Sequence, residues 1–283
     1  MPTMTTEEAI VHLRADPATR DLIIKTYLDE DVPAAAARFT ESEEWRETLR
    51  WIAHASGQVA GGVVIDVGAG TGIVSYAFAK AGAARVWALE PDPSAVVGQG
   101  ALRQLTPGLP IEIVGAYGEG LPFRDASVDV VYARQVLHHT HDLDRVLREA
   151  ARVLRSGGVF MACREHVVDD ADQLAQFLAA HPVHQLAGGE HAYSLDRYRS
   201  AIIGAGLTLV RQLAPYDSVI TAYPMRTQAQ VENLVRDNLA QRLGAIGAAI
   251  AGIGLVDRLV RGLIEVRRAY PGRMYAFVAR KAI

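Results

Sequence analysis

The sequence predicts an α/β protein organised around one doubly wound, mostly parallel sheet, and three observations support that prediction. From Gly62 onward, short runs rich in β-branched residues alternate with segments of helical length. Strand, helix, strand in repetition marks parallel strands joined by crossover helices. The first run ends in a glycine-rich turn, VIDVGAGTG from Val64 to Gly72, which opens into the helical segment IVSYAFAKAG. Finally, 283 residues, half of them apolar, are enough to bury one large core.

In chain order, residues 1–60 read as an N-terminal helical cap. Thr5 with Glu8 and Thr40 with Glu43 are spaced as capping boxes, the second just ahead of Trp45, Leu49 and Ile52 at helical intervals. The core follows over residues 61–226, with strands expected at GGVVIDV, RVWALE, IEIVG, SVDVVYA and GGVFMAC. Beyond Cys163 come a helix near Ala171 to Ala180, a His- and Gly-rich polar loop near residues 181–193, a helix near Leu195 to Gly204 and a strand at LTLVRQL. Residues 227–268 form a helical insertion in which Val231, Leu234, Val235, Leu239, Leu243 and Ile246 share one face. Glycines at 244, 247, 252 and 254 interrupt it, and it reads as a lid, a homodimer interface or plain core packing. The last segment, 269–283, contains RMYAFVARK, which alternates like a half-exposed edge strand.

Composition excludes several function classes. The formal net charge is −3 and no Lys/Arg-rich run occurs, so the concentrated basic surface that nucleic acid requires is missing. One cysteine, Cys163, rules out an intramolecular disulfide framework and fits a reducing, cytoplasmic setting. The opening MPTMTTEEAIVHLR lacks the basic-then-apolar order of an export signal. The longest uncharged apolar stretch, Gly244 to Val256, falls short of the roughly 20 residues that cross a bilayer.

The strongest local signal is the turn itself. An apolar strand ending in Asp66 breaks into Gly68, Gly70 and Gly72, so backbone can approach a small polar ligand closely at a helix start. A dinucleotide loop needs a glycine three residues after Gly70, where Ile73 stands, and a P-loop needs a Lys followed by Ser or Thr. Both are disfavoured. The second strand ends in ALEPD, which puts Glu90 at a strand tip, where a carboxylate can accept hydrogen bonds from both ribose hydroxyls of an adenosine.

Taken together, these segments resemble class I S-adenosylmethionine-dependent methyltransferases of the small-molecule group that includes ubiquinone and menaquinone C-methyltransferases. The resemblance covers about Gly62 to Phe160 and rests on VIDVGAGTG, ALEPD, GEGLPFRDASVDVVYA and LREAARVLRSGGVF. It implies a seven-stranded Rossmann-like sheet with the last strand antiparallel, and S-adenosylmethionine as cofactor. It further implies that Asp66 and the turn Gly68, Ala69, Gly70 and Gly72 hold the methionine part, and that Glu90 with Pro91 holds the ribose. Gly118 and Glu119 would lie beside the adenine, with Arg134 and Gln135 bordering the methionine end. Many relatives carry Asp where this chain has Tyr117, which reads either as an adenine contact or as a partly buried loop tyrosine.

In an open parallel sheet, ligands sit outside the carboxyl ends of the strands near the point where strand order reverses. The methyl acceptor is therefore expected after the fourth and fifth strands, at ARQVLHHTHDLD and CREHVV, and seven of the nine histidines fall between His138 and His191. His139, Glu165 and His166 are the candidates to orient or deprotonate an acceptor. His138, His191, Tyr193 and Tyr223 are expected acceptor contacts, although His138 reads more readily as a helix-start residue facing the core than as a catalytic one. His181, His184, Glu190 and His191 match no established zinc spacing, so no metal is expected. The resulting reading is methyl transfer to C, O or N of a small, hydrophobic metabolite. The alternatives are an inactive cofactor-binding scaffold and, disfavoured by Ile73, a nicotinamide oxidoreductase.

Overall fold

A computed structural model of the chain describes residues 4, 6–20, 31–180, 182–188, 191–222, 225–266 and 273–283. The described elements are α1 (Thr6–Ala15), α2 (Val32–Thr40), α3 (Glu43–His54), β1 (Val63–Val67), α4 (Ile73–Lys80), β2 (Arg85–Leu89), α5 (Gln99–Leu102) and β3 (Ile111–Val114). They continue with β4 (Val128–Arg134), a 3-10 turn (Leu137–His139), α6 (Leu143–Val153), β5 (Leu154–Val167), α7 (Ala171–Ala179), α8 (Pro182–Ala187), α9 (Leu195–Gly204) and β6 (Leu207–Leu213). The last are α10 (Gln228–Ile250), α11 (Gly254–Val266) and β7 (Arg273–Lys281). Among the described residues the strands form one seven-stranded sheet in the order β3-β2-β1-β4-β5-β7-β6. β3, β2, β1, β4 and β5 run parallel, and β7 pairs antiparallel with both β5 and β6.

Strand residues are apolar in both directions because both faces of the sheet are covered. On one face, Ile65, Val131, Phe160 and Phe277 pack with Leu143, Val146 and Leu147 of α6 and Tyr198 and Ile202 of α9. On the other, Val64, Val86, Val130 and Met161 pack with Trp45 and Ile52 of α3 and Phe78 of α4. The Phe78 ring stands edge-on to Trp45 at 4.9 Å and to Tyr132 at 5.3 Å. Helix α1 lies apart from this core, with Ile10 and Leu13 on Val183 of α8 and on Val96 and Val97.

Four expectations need correction or limits. RMYAFVARK is an internal strand: Tyr275, Phe277 and Ala279 enter one core layer and Ala276 and Val278 the other, so the apparent alternation hid a continuous apolar run. The strand GGVFMAC extends through Arg164, Glu165, His166 and Val167 after a register shift between Ala162 and Glu165, where Arg164 takes φ +60°. Thr40 closes α2 by donating to the Ala36 carbonyl, and the cap of α3 is Ser42, which accepts from the Trp45 amide. The Thr5 capping position lies outside the described residues.

In the insertion, Val231 and Val235 are buried and Leu234 packs against Tyr216 and Val219, whereas Leu243 and Ile246 are exposed. Gly244, at φ 62° and ψ −142°, kinks α10 between the two groups.

Candidate active site

The turn after β1 needs glycine at its bends. Gly68, Gly70 and Gly72 lie at φ +62°, +54° and +85°, in the left-handed region that a Cβ disfavours. A Cβ on Gly68 would meet Val136 at 2.6 Å, and one on Gly72 would meet Leu102 at 2.7 Å, so the turn is pressed between the end of β4 and α5. The amides of Ala69, Gly70 and Gly72 are engaged by Leu89, Glu90 and Ala69 respectively. The turn thus offers a bare backbone surface rather than a row of donors.

Beneath it, Asp66 is buried and accepts from the Ser75 hydroxyl at 2.6 Å. Burial drives its pKa up to about 7, against the Ser75 hydrogen bond, with the nearby Glu90 charge adding to the rise. Glu90 directly follows β2 and faces the turn. Its Oε2 accepts the Gly70 amide at 2.7 Å and its Oε1 the Asp92 amide at 2.8 Å, while Gln99 ties its carbonyl at 2.8 Å. Each oxygen keeps a lone pair for a further donor. Burial raises the Glu90 pKa, and the two amide bonds oppose that rise. The structure thus brings together Asp66, Gly68, Ala69, Gly70, Gly72 and Glu90. Pro91 follows Glu90 at the strand tip.

The loop after β3 is arranged differently from expectation. Tyr117 is 67% exposed, so it is not a partly buried loop tyrosine. A Cβ on Gly118 would crowd Val67 and Val146 at 3.2 and 3.3 Å, which seats this loop against β1. The Glu119 carboxylate accepts the His141 amide at 3.0 Å and so fastens the segment after the 3-10 turn.

The histidine region is organised by Glu165. This residue is fully buried on β5 and accepts the amides of Val136 (3.1 Å) and His138 (3.2 Å), and it lies 2.7 Å from His138 Nδ1. Burial raises its pKa to about 7, against the amide hydrogen bonds and the charge of His139. The expected Glu165–His166 pair is therefore a Glu165–His138 pair, because neighbouring residues on a strand point to opposite faces. The His138 ring lies tilted against the exposed His139 at 4.3 Å and meets His166 edge-on at 4.8 Å, and His166 rests on Phe177 at 4.6 Å. The following loop docks on the same turn: the His191 amide donates to the His138 carbonyl at 2.8 Å and the Tyr193 hydroxyl to the Thr140 carbonyl at 2.6 Å. His181, Glu190 and Tyr223 lie outside the described residues. Cys163 is buried in β5 and burial pushes its thiol up to about 12, which leaves it an inert core residue.

One functional feature escaped the sequence reading. Arg134 does not stand alone beside Gln135: its Nε donates to Glu44 of α3 at 2.8 Å, its Nη1 to Gln135 at 3.3 Å, and Arg164 Nη1 reaches the same Glu44 carboxylate at 3.0 Å. Glu43, next door, accepts the Gln228 amide at 2.5 Å. The first turn of α3 therefore links the end of β4 and the bend at Arg164 in β5 to the start of the insertion. Partners 90 and 120 positions apart leave no trace in local spacing.

Comparison with known proteins agrees with this geometry. Residues 65–162 match the methyltransferase domain family. An uncharacterized methyltransferase of Mycobacterium marinum is 37% identical over 109 residues, which cover 38% of this chain and 41% of that protein. The ubiquinone biosynthesis O-methyltransferase of Agrobacterium fabrum is 25% identical over 162 residues, covering 56% of this chain and 64% of its own length. The match thus spans less than two thirds of these curated relatives. Geranyl diphosphate methyltransferase, solved in complex with SAM, superimposes with a TM-score of 0.56 at 13% identity over 84% of this chain and 85% of that one. Residues 65–162 thus match a methyltransferase domain, and the chain shares its overall fold with a solved methyltransferase.

Proposed function

We propose that the protein is an S-adenosylmethionine-dependent methyltransferase acting on a small-molecule acceptor in a reducing, cytoplasmic setting. The observation that carries this reading is the clasp between Gly70 and Glu90 at 2.7 Å, placed where the strand order reverses between β1 and β4. The residues fit the cofactor. Glu90 presents both oxygens with their backbone donors already in place, and the glycine-rich turn admits a close-lying polar chain. Asp66 at the turn's base offers a carboxylate for the methionine end. When bound, the cofactor would supply an electrophilic methyl carbon open to in-line attack by a nucleophilic atom of the acceptor, with the sulfur leaving as the thioether of S-adenosylhomocysteine.

The protein's own task is then alignment and exclusion of water. Glu165 fixes the 136–138 turn and orients the His138 ring, which in turn positions His139 and His166. His139, on the exposed side, is the group assigned to touch and deprotonate an acceptor, with His191 and Tyr193 bordering the space. Helix α1 bridges Val96 and Val97 on the cofactor side to Val183 and Leu186 on the acceptor side, which suits a cover over both. Imidazole and aromatic rings favour an acceptor with a planar or apolar body.

Incubating the protein with S-adenosylmethionine labelled in its methyl group and a broad panel of small metabolites tests the reading. Label should appear in an organic product together with S-adenosylhomocysteine. Saturable cofactor binding with no labelled product across the panel would contradict turnover.

A further inference from the structure

The outer face of the insertion is apolar and exposed. Six of the eleven exposed large hydrophobic side chains among the described residues fall between positions 243 and 263. Scattered singly, such residues are ordinary; concentrated in one stretch, they mark a contact surface. On α11, Leu255, Leu259 and Leu263 recur every fourth residue, which sets them on one helical face, and they are 67%, 59% and 56% exposed. Arg258 and Gly262 complete that exposed face. The other side of the helix is fixed to the body. Ile264 packs against the cluster of Tyr216, Val219 and Val231, and Arg261 donates to the Tyr216 carbonyl at 2.6 Å and to the Val231 carbonyl at 3.3 Å. These anchors hold the leucines outward.

The charges around this stripe decide what it fits. Gly244 to Val256 contains no charged residue, and the first charges on either side are Arg242 and Asp257. The Asp257 carboxylate is taken by Arg261 Nε at 2.8 Å, and Asp237, farther back on α10, lies 3.7 Å from Arg236. The exposed charges nearest the apolar stretch are therefore two cations, Arg242 and Arg258. An apolar strip edged by cations matches an anionic lipid surface, where leucines enter the acyl boundary while guanidiniums stay with the phosphates. A second copy matches it less well. Laid antiparallel about Leu259, two copies would bring both Arg258 side chains to one edge of the seam, like charge against like, with the nearby carboxylate already committed to Arg261. At 13 residues, α11 is too short to cross a bilayer and would lie along it.

We propose that the insertion docks the protein on an anionic lipid bilayer, with Leu255, Leu259 and Leu263 of α11 in the acyl boundary and Arg242 and Arg258 on the lipid phosphates.

The test measures partition of the full chain onto sedimented vesicles of phosphatidylcholine and phosphatidylglycerol in equal parts, against vesicles of phosphatidylcholine alone. The natural chain should prefer the anionic vesicles, and rising salt should weaken its binding. Leu259→Ser should reduce the partition about tenfold, the loss of one leucine from the acyl boundary. Arg258→Ala should reduce it about fivefold, the loss of one cation at the lipid surface. Ile203→Ser, which removes a similarly exposed side chain from α9, should leave it unchanged. Circular dichroism confirms that each variant is folded, and Leu255→Ser repeats the measurement at the other end of the stripe. No partition onto the anionic vesicles, equal partition onto the neutral ones, or binding that both leucine substitutions leave intact would overturn the proposal. So would sedimentation equilibrium showing a dimer of the natural chain that Leu259→Ser converts to monomer, since a second copy would then cover the stripe. No cofactor enters the assay, so its outcome is separate from methyl transfer.

Discussion

At the scale of single residues, the site depends on where a Cβ or a charge is tolerated. Gly68 and Gly70 share the left-handed conformation, but a Cβ on Gly68 would meet Val136 at 2.6 Å while the nearest atom to one on Gly70 is 3.7 Å away. Gly70→Ala should cost about 1–2 kcal/mol of conformational strain alone, and Gly68→Ala should cost more in thermal denaturation; equal costs would refute the packing described. Asp66 makes a pH-dependent contribution. Its folded-state pKa, near 7, lies above its ordinary value, so the folded protein binds a proton that the unfolded chain releases. Its contribution is complete below its ordinary pKa and is withdrawn as pH rises toward 7. Asp66→Asn should therefore lose less stability than the natural protein between about pH 4 and pH 7. The grouping of Asp66, the glycines and Glu90 was legible in the sequence because one turn and one strand tip bring them together. The Glu165–His138 pair was not, because it depends on a strand running four residues farther than its apolar run and on the pleat that separates Glu165 from His166.

At the scale of elements, the parallel core was readable from its alternation of strand and helix, and the errors arose where neighbours outweighed local pattern. RMYAFVARK read as an edge strand, yet β5 and β6 flank it on both sides. The helix cap near residue 40 was misplaced by two positions, and Ser42→Ala should cost about 1 kcal/mol of stability, whereas Thr40→Ala, at the end of the preceding helix, should cost less. The insertion divides at Gly244. Val231→Ala should destabilise by about 1–3 kcal/mol, because Val231 is buried against the segment at 216–222, while Leu259→Ser, on the outer stripe with Leu255 and Leu263, should leave the melting temperature nearly unchanged. A large drop for Leu259→Ser would show that this stripe is covered in solution, as the homodimer reading of the insertion requires.

At the scale of the whole molecule, the two core layers hold the sheet while separate pieces converge on its carboxyl edge. Helix α1 joins the segment after Glu90 to α8, and the first turn of α3 joins Arg134 and Arg164 to the start of α10. No helix among the described residues is long and apolar enough to cross a membrane. The core is the least forgiving part: Phe78→Ala, removing a ring fully buried between Trp45 and Tyr132, should cost about 3–5 kcal/mol. The account as a whole turns on the cradle formed by the glycine turn and Glu90. Its most direct test is calorimetric titration of S-adenosylhomocysteine into the natural protein and Glu90→Ala, with circular dichroism to confirm that the variant is folded. The account predicts saturable binding weakened by about 1.5–3 kcal/mol in the variant, the loss of hydrogen bonds to a charged group; the same dissociation constant in both proteins would contradict it.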